Sequence, residues 1–469
     1  LQNYIGIERE SKKSKNIEIG HTGMALVRTS VILFICQIIA LFMGIISDII
    51  VSRTLGASGR GNFYLIVTTY TLLVGIMIFG MSYAGTYMLA KNKARIAEVH
   101  TAVIIFICGI TTVACIALWL IVHCIPSKLG EQIRPNLAIL FAMIPIELYR
   151  QCWTGLMVGL NRVLPMIKIT LFLTGVYLFM IAIFLGLLKM GLRGALIAII
   201  FNGFLSVAFM FWGIIKQNEG YFSLAKPKLI IEMLKYGSIA HVGNAAVQLY
   251  QRMGVYFLTW MGSMAEVGYY TLSLTMAEKQ LLVLGAINTA TNYRIIGDEK
   301  QSSELLMASM IRISLAILII VCTVAIICSR WVVQLLYGQN YLTVVKLLII
   351  AFPGTAFLGL ASTLSNYFMG QLGKPSITSG LSVIFLIICI PVYYIMVSHY
   401  GMIGAAGTIS LIYFFHFLVL IYLFVKMTRL SFKDALVVKK TDLKRMWDFI
   451  INNELSFKSV LLYQRGKTK

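Results

Sequence analysis

The chain has 469 residues, 59% hydrophobic and 12% charged, with 40 Lys and Arg against 18 Asp and Glu and a formal net charge of +22. Soluble domains carry about 25% charged residues, so this composition excludes a water-facing surface and calls for lipid as solvent. Apolar runs of helix-spanning length exclude a barrel, whose strands are about ten residues of alternating polarity, and the basic excess reads as membrane topology rather than nucleic-acid binding.

The expectation is an all-α polytopic membrane protein with about 12 transmembrane helices. A polar segment, 1–23, precedes them, with no cleavable signal peptide in it. Spans are predicted near 25–51, 62–90, 101–125, 136–160, 164–188, 194–215, 231–260, 267–292, 307–329, 342–370, 377–399 and 402–426. Of the 40 basic residues, 29 fall on the side of the two termini and seven on the other, which puts both termini in the cytoplasm. The eight cysteines lie within apolar segments without a C-x-x-C pair, which argues for packing over zinc or disulfides. Nucleotide-binding, metal-site and nucleophile signatures are missing, so no catalytic residue, metal or cofactor is expected.

Ionisable or amide groups inside spans are costly and each needs a reason. In the first span Gln37 and Asp48 share a face, with Asp48 about one turn inside the outer surface. Asp48 is either a cap or salt-bridge partner of Arg53 or Arg60, or the seat of proton or sodium coupling. In the fourth span Glu147 and Arg150, three residues apart, can pair on one helix face; they either brace two helices or line a cavity. The seventh span places His241, Asn244, Gln248 and Arg252 at spacings of 3, 4 and 4, with Gln251 beside them. Lipid would strand such a stripe, so it faces protein or water, and a hydrated cavity wall is favoured over helix–helix hydrogen bonding. His241 is either a satisfied hydrogen bonder or a titrating group. The eighth span opens with hydroxyl-rich Tyr269, Tyr270, Thr271, Ser273 and Thr275 and carries the adjacent Glu278 and Lys279. These two point about 100° apart and cannot both pair on their own helix, so at least one needs another helix or water. Lys346 is expected to snorkel to the surface. The basic tail, 428–469, has Leu443, Met446, Trp447, Ile450 and Ile451 on one helical face, which suits an anionic leaflet or docking on the protein's own cytoplasmic face.

The chain also reads as duplicated. Gly191-Leu-Arg-Gly194-Ala195 and Gly401-Met-Ile-Gly404-Ala405 stand 210 residues apart, as do Pro165 and Pro375. Gly159 and Gly370 precede these prolines, and Gly61-Asn-Phe63 and Gly268-Tyr-Tyr270 begin corresponding spans. The pattern predicts two six-helix lobes, 24–215 and 231–427, joined by a cytoplasmic linker at 216–230. Such lobes are related by a pseudo-twofold axis along the membrane normal, with a central cavity between them.

The stretch Ser52-Arg-Thr-Leu-Gly56-Ala-Ser-Gly59-Arg60-Gly61 resembles the R-x-L-G-x-x-G-x-G signature of polysaccharide biosynthesis flippases of the multidrug/oligosaccharidyl-lipid/polysaccharide exporter superfamily. The Gly-x-x-Gly-Ala element before the last span and the tail beginning Leu430-Ser-Phe-Lys433-Asp434 are similar to that family too. The resemblance implies a flippase, not an enzyme, in the bacterial cytoplasmic (inner) membrane. It would move an undecaprenyl-diphosphate-linked oligosaccharide repeat unit to the outer leaflet for O-antigen (lipopolysaccharide), capsule or exopolysaccharide assembly. Its partners would be that lipid-linked oligosaccharide, anionic lipids, a polysaccharide polymerase and other assembly proteins, with a proton or sodium ion as coupling species. On this reading Arg252, Gln248, Asn244, His241, Arg150, Lys279 and Gln37 serve substrate or cavity, and Asp48, Glu147 and Glu278 serve ion coupling. The rival reading is a cation-coupled multidrug antiporter of the same fold, drawing on the same three carboxylates.

Overall fold

The computed structural model describes residues 2–124, 127–215, 227–285, 288, 300–428, 430–439 and 442. Among them all regular structure is helical, as a chain in lipid must be if it is to satisfy its backbone internally. The helices are α1 (Gln2–Met77), α2 (Met81–Ala90), α3 (Ile96–Cys124), α4 (Ser127–Ile133), α5 (Leu137–Gly159), α6 (Val163–Ile181), α7 (Gly191–Ile215), α8 (Pro227–Met261), α9 (Met264–Glu278), α10 (Lys300–Leu336), α11 (Val344–Gly370), α12 (Pro375–Met427) and α13 (Phe432–Leu436). Seven helical stretches are long and apolar enough to cross a membrane. Large apolar side chains such as Phe42, Trp119, Phe179, Ile320 and Trp331 stand exposed on their outer faces, which water would not tolerate in such number but lipid does.

Two of the seven are too long for one crossing. The apolar part of α1 runs 43 residues and that of α12 runs 53, about 65 and 80 Å of helix against a hydrocarbon core of about 30 Å. Each holds one residue off the helical conformation, Gly56 (φ 67°, ψ −179°) and Gly401 (φ 53°, ψ −132°). A straight helix would separate Phe385 from His416 by about 46 Å, yet their ring centroids lie 5.0 Å apart. Likewise the Tyr64 hydroxyl reaches Asp48 Oδ1 at 2.6 Å. Both helices are therefore hairpins that reverse at a single glycine, whose positive φ combined with ψ near −179° or −132° is open to a residue without Cβ.

The second predicted span is not continuous. It breaks between α1 and α2, where Phe79 (φ 43°) and Gly80 (φ 68°) are left-handed. The cause is tertiary: the backbone of Gly80 lies against that of Gly237 in α8, so closely that a Cβ on either would strike the other. The duplicated glycine motif is matched in conformation, since Gly191 (φ 61°) and Gly401 (φ 53°) are both left-handed and both precede a helix. Ahead of the first span, the polar segment is helical from Gln2 onward.

Helices α1, α2, α3, α5, α6 and α7 pack among themselves, as do α8 to α12, and the two sets meet chiefly where α1 touches α8 and α9 and where α2 touches α8. One of these contacts joins the two corresponding motifs: a Cβ on Gly61 would strike the Met264 carbonyl, and one on Gly268 would strike the Ala57 carbonyl. The glycines thus let α1 and α9 approach backbone to backbone.

Past α12 the chain is strapped back onto α10. Arg312 donates from Nε to Asp442 Oδ2 at 2.6 Å and from Nη2 to Oδ1 at 2.7 Å, and Ser309 donates to Oδ1 at 2.6 Å. Burial would raise the Asp442 pKa, but the Arg312 and Ser309 hydrogen bonds outweigh it and hold the carboxyl at about 2. Asp434, bonded to Lys439 and Ser431, is also held well below the usual carboxylate range. The predicted amphipathic face at 443–451 and the linker residues 216–226 lie outside the described residues.

Candidate functional site

Three polar cavities run side by side between the helices. The central one, about 410 Å³, lies between the second arm of α1, α8 and α9, with Tyr64, Thr71, Gln248, Arg252, Thr275 and Glu278 on its wall. A second, about 310 Å³, is enclosed by α1, α5, α6 and α7 and holds Glu147 and Arg150. The third, about 340 Å³, lies between α8, α11 and α12, is bounded also by Leu281, Leu284, Gly285 and Asn288, and includes Asn244 and His416. Tyr64 lines the first and second, and Gln251 lines the first and third. Both junction residues therefore touch the central cavity.

The sequence places the centre of this arrangement through simple periodicity. On α8, Gln248 and Arg252 are four apart and face the central cavity, while Asn244 faces the third. Arg252 Nη1 lies 3.2 Å from Glu278 Oε1 across the gap between α8 and α9. Of the adjacent Glu278 and Lys279, it is therefore Glu278 that takes a partner on another helix. Arg252 remains 38% exposed in its side chain, so part of the five-donor guanidinium is still open to the cavity. Lys279, at the end of α9, is exposed and makes no ion pair among the described residues. Of the hydroxyl-rich opening of α9, Thr271 and Thr275 line the central cavity, whereas Tyr269 donates to the Asn340 carbonyl at 3.2 Å and Tyr270 is buried against Tyr393.

In the second cavity Glu147 and Arg150 form a two-pronged pair, with Arg150 Nε and Nη2 donating at 2.7 and 2.6 Å to the two carboxylate oxygens. Gln151 adds a third bond to Glu147 at 3.1 Å. The carboxylate is buried, while Arg150 is 48% exposed. The pair neutralises itself along one face of α5 and lines the second cavity.

Two predicted cavity residues fall elsewhere. His241 is buried, with Nε2 2.7 Å from the Ile76 carbonyl. The break after Met77 leaves that carbonyl without its helical partner, so His241 caps α1 and takes the hydrogen-bonding option rather than a place on the central wall. Gln37 is exposed on the first arm of α1 and touches none of the three cavities.

Asp48 sits in a knot at the Gly56 hairpin. Its Oδ1 accepts from Arg60 Nη1 at 2.5 Å and from Tyr64, and its Oδ2 accepts from the Tyr337 hydroxyl at 3.1 Å. Arg60 is fully buried, lies 4.3 Å over the Tyr64 ring and also donates to Ser52. Around this knot Arg53 donates to the Leu335 and Leu336 carbonyls at the end of α10, and Tyr341 donates to the Ser52 carbonyl. Asp48 is thus the hub of a contact tying the α1 hairpin to α10, and Arg60 is the partner it takes.

Sequence reasoning missed Tyr64, Thr68 and Thr71, which line the central cavity, and His416 in the third. A signal existed for the first group: spacings of 4 and 3 put them on one helical face.

The family model described as polysaccharide biosynthesis protein matches residues 26–293. No curated protein sequence matches the chain. Among solved structures, the lipid II flippase MurJ in an inward closed conformation superposes with a TM-score of 0.69 at 15% identity, covering 92% of this chain and 98% of that one. An outward-facing multidrug resistance MATE transporter of the MOP superfamily gives 0.63 at 16% identity, covering 86% and 94%. A MOP superfamily transporter from Pyrococcus furiosus gives 0.61 at 16% identity, covering 86% and 94%. At these identities the likeness is one of fold, and the proteins that share it are flippases and transporters. With a family model matching more than half of its length, this multi-span membrane protein belongs to the polysaccharide biosynthesis protein family.

Proposed function

We propose that the chain is a flippase carrying an undecaprenyl-diphosphate-linked oligosaccharide repeat unit from the inner to the outer leaflet of the bacterial cytoplasmic membrane. On this reading twelve spans form two six-helix lobes, both termini are cytoplasmic, and the lobes rock about the α1–α9 and α2–α8 contacts. The observation that carries it is the half-exposed Arg252 guanidinium on the wall of the central cavity. A diphosphate cannot enter hydrocarbon, and a fork of N–H donors beside a hydrated space suits phosphate oxygens. Glu278 neutralises Arg252 when the cavity is empty and yields donors to the incoming phosphate. Moving about two negative charges outward gains roughly 2.3 kcal/mol per charge for each 100 mV of inside-negative potential. The basic tail would rest on anionic lipids, and a polysaccharide polymerase would take up the delivered unit.

The antiporter reading draws on the carboxylates of Glu147 and Glu278, each at a cavity wall. The two separate in one experiment. Deleting the gene should strand lipid-linked repeat units on the cytoplasmic leaflet and remove polymer from the cell surface. Arg252→Ala at normal abundance should fail to restore it. Intact surface polymer together with sensitivity to cationic dyes would replace the flippase with the antiporter.

A further inference from the structure

We propose that the third cavity, between α8, α11 and α12, is a seat for a neutral saccharide ring of the transported molecule. This rests on the flippase reading and assigns a place to the part of the substrate that the central cavity does not address. No carboxylate, ammonium or guanidinium lines the cavity among the described residues. Its wall carries amides and hydroxyls from three helices: Asn244 and Gln251 on α8, Ser362 and Asn366 on α11, and Ser379 with His416 on the two arms of α12. An ion would find no countercharge among the described residues here, and an apolar group would leave these donors and acceptors unpaired. A ring bearing several hydroxyls suits them, because each hydroxyl both donates and accepts.

His416 adds a separate observation. It is 4% exposed and lines the cavity. Its Nδ1 is 3.1 Å from the Tyr250 hydroxyl, and its Nε2 is buried without a partner among the described residues. A buried ring nitrogen left unbonded is rare in a resting protein, and a substrate hydroxyl would satisfy it in either tautomer. The volume, about 340 Å³, falls at the lower end of small-molecule sites, roughly 300–1,000 Å³. Gln251 joins this cavity to the central one, so a saccharide seated here adjoins a diphosphate held at Arg252.

The test uses the full-length protein purified in detergent, with Ser379→Cys or Ser362→Cys introduced on facing helices and Thr275→Cys in the central cavity. Alkylation by a small water-soluble thiol reagent is followed site by site by mass spectrometry. Lactose, cellobiose and N,N′-diacetylchitobiose serve as neutral probes and inorganic pyrophosphate as the charged one. At a probe concentration of about twice its Kd, the rate at an occupied site should fall about threefold. The neutral disaccharides should protect Ser379→Cys and Ser362→Cys, and pyrophosphate should protect only Thr275→Cys. Should one third-cavity variant fail to fold, the other carries the measurement. Disaccharides that leave the third-cavity cysteine unprotected up to their solubility limit would overturn the proposal, as would a cysteine there that never reacts. Protection at Thr275→Cys is read independently: its loss, with saccharide protection retained, counts against the flippase reading and leaves the saccharide site standing.

Discussion

Arg60 has no access to solvent; it lies over the Tyr64 ring, and among the described residues its charge is matched by Asp48 alone. Removing one member of such a pair leaves the other buried and unmatched, which destabilises by about 3–5 kcal/mol. Asp48→Asn should therefore lower the melting temperature in detergent sharply, and the double variant Asp48→Asn/Arg60→Met should recover most of the loss. An Asp48→Asn protein that melts normally but no longer transports would instead return Asp48 to ion coupling. Asp442 makes a pH prediction. Its carboxyl is held at about 2 against an ordinary 3.8, so its contribution is complete above 3.8 and is lost as the pH falls through 3.8 towards 2. Backbone amides of 430–439 should accordingly exchange hydrogen faster, relative to the helices, below that range than at pH 5. These pairings were unevenly legible. That at least one of Glu278 and Lys279 needed a partner on another helix or water followed from their adjacency. That Arg252 partners Glu278 did not follow, because 26 residues separate these two and only the packing of α8 on α9 joins them.

At the scale of elements, the seven span-length apolar stretches were readable because hydrocarbon thickness sets the length of an apolar run; the Gly56 reversal falls where charge and glycine interrupt such a run, and the Gly401 reversal where glycine alone does. The break at Phe79–Gly80 was hidden because its cause, the backbone of Gly237, lies on a different helix. His241 was misplaced for the same reason: its period matches the cavity stripe, but the carbonyl it caps exists only because of that break. The glycine contacts allow a graded prediction. Gly61→Ala would drive a Cβ into the Met264 carbonyl and should part α1 from α9, with loss of transport and a lower melting temperature. Gly109→Ala, where nothing stands within 4 Å, should be neutral or stabilising by up to about 1 kcal/mol. Equal effects in melting and transport assays would remove the claim that close approach is what Gly61 provides.

For the molecule as a whole, the charge asymmetry and the helix order combine into a labelling prediction. Cysteines at Ser58 and Ser263 should react with an impermeant thiol reagent added to cells whose outer barrier has been opened, and cysteines at Asn92 and Ser376 should stay protected. The opposite pattern would invert the direction of transport. The one-glycine reversals at Gly56 and Gly401 also bear on how the protein is made. A translocon that releases helices singly needs slack between them, and these turns provide none. Each pair has to leave the channel together, already folded back on itself. In the first pair that puts Asp48 beside Arg60 before either meets lipid, so two charges that would each resist entry go in as a neutral couple, and Asp48→Asn should insert with a lower yield than the Asp48→Asn/Arg60→Met double variant.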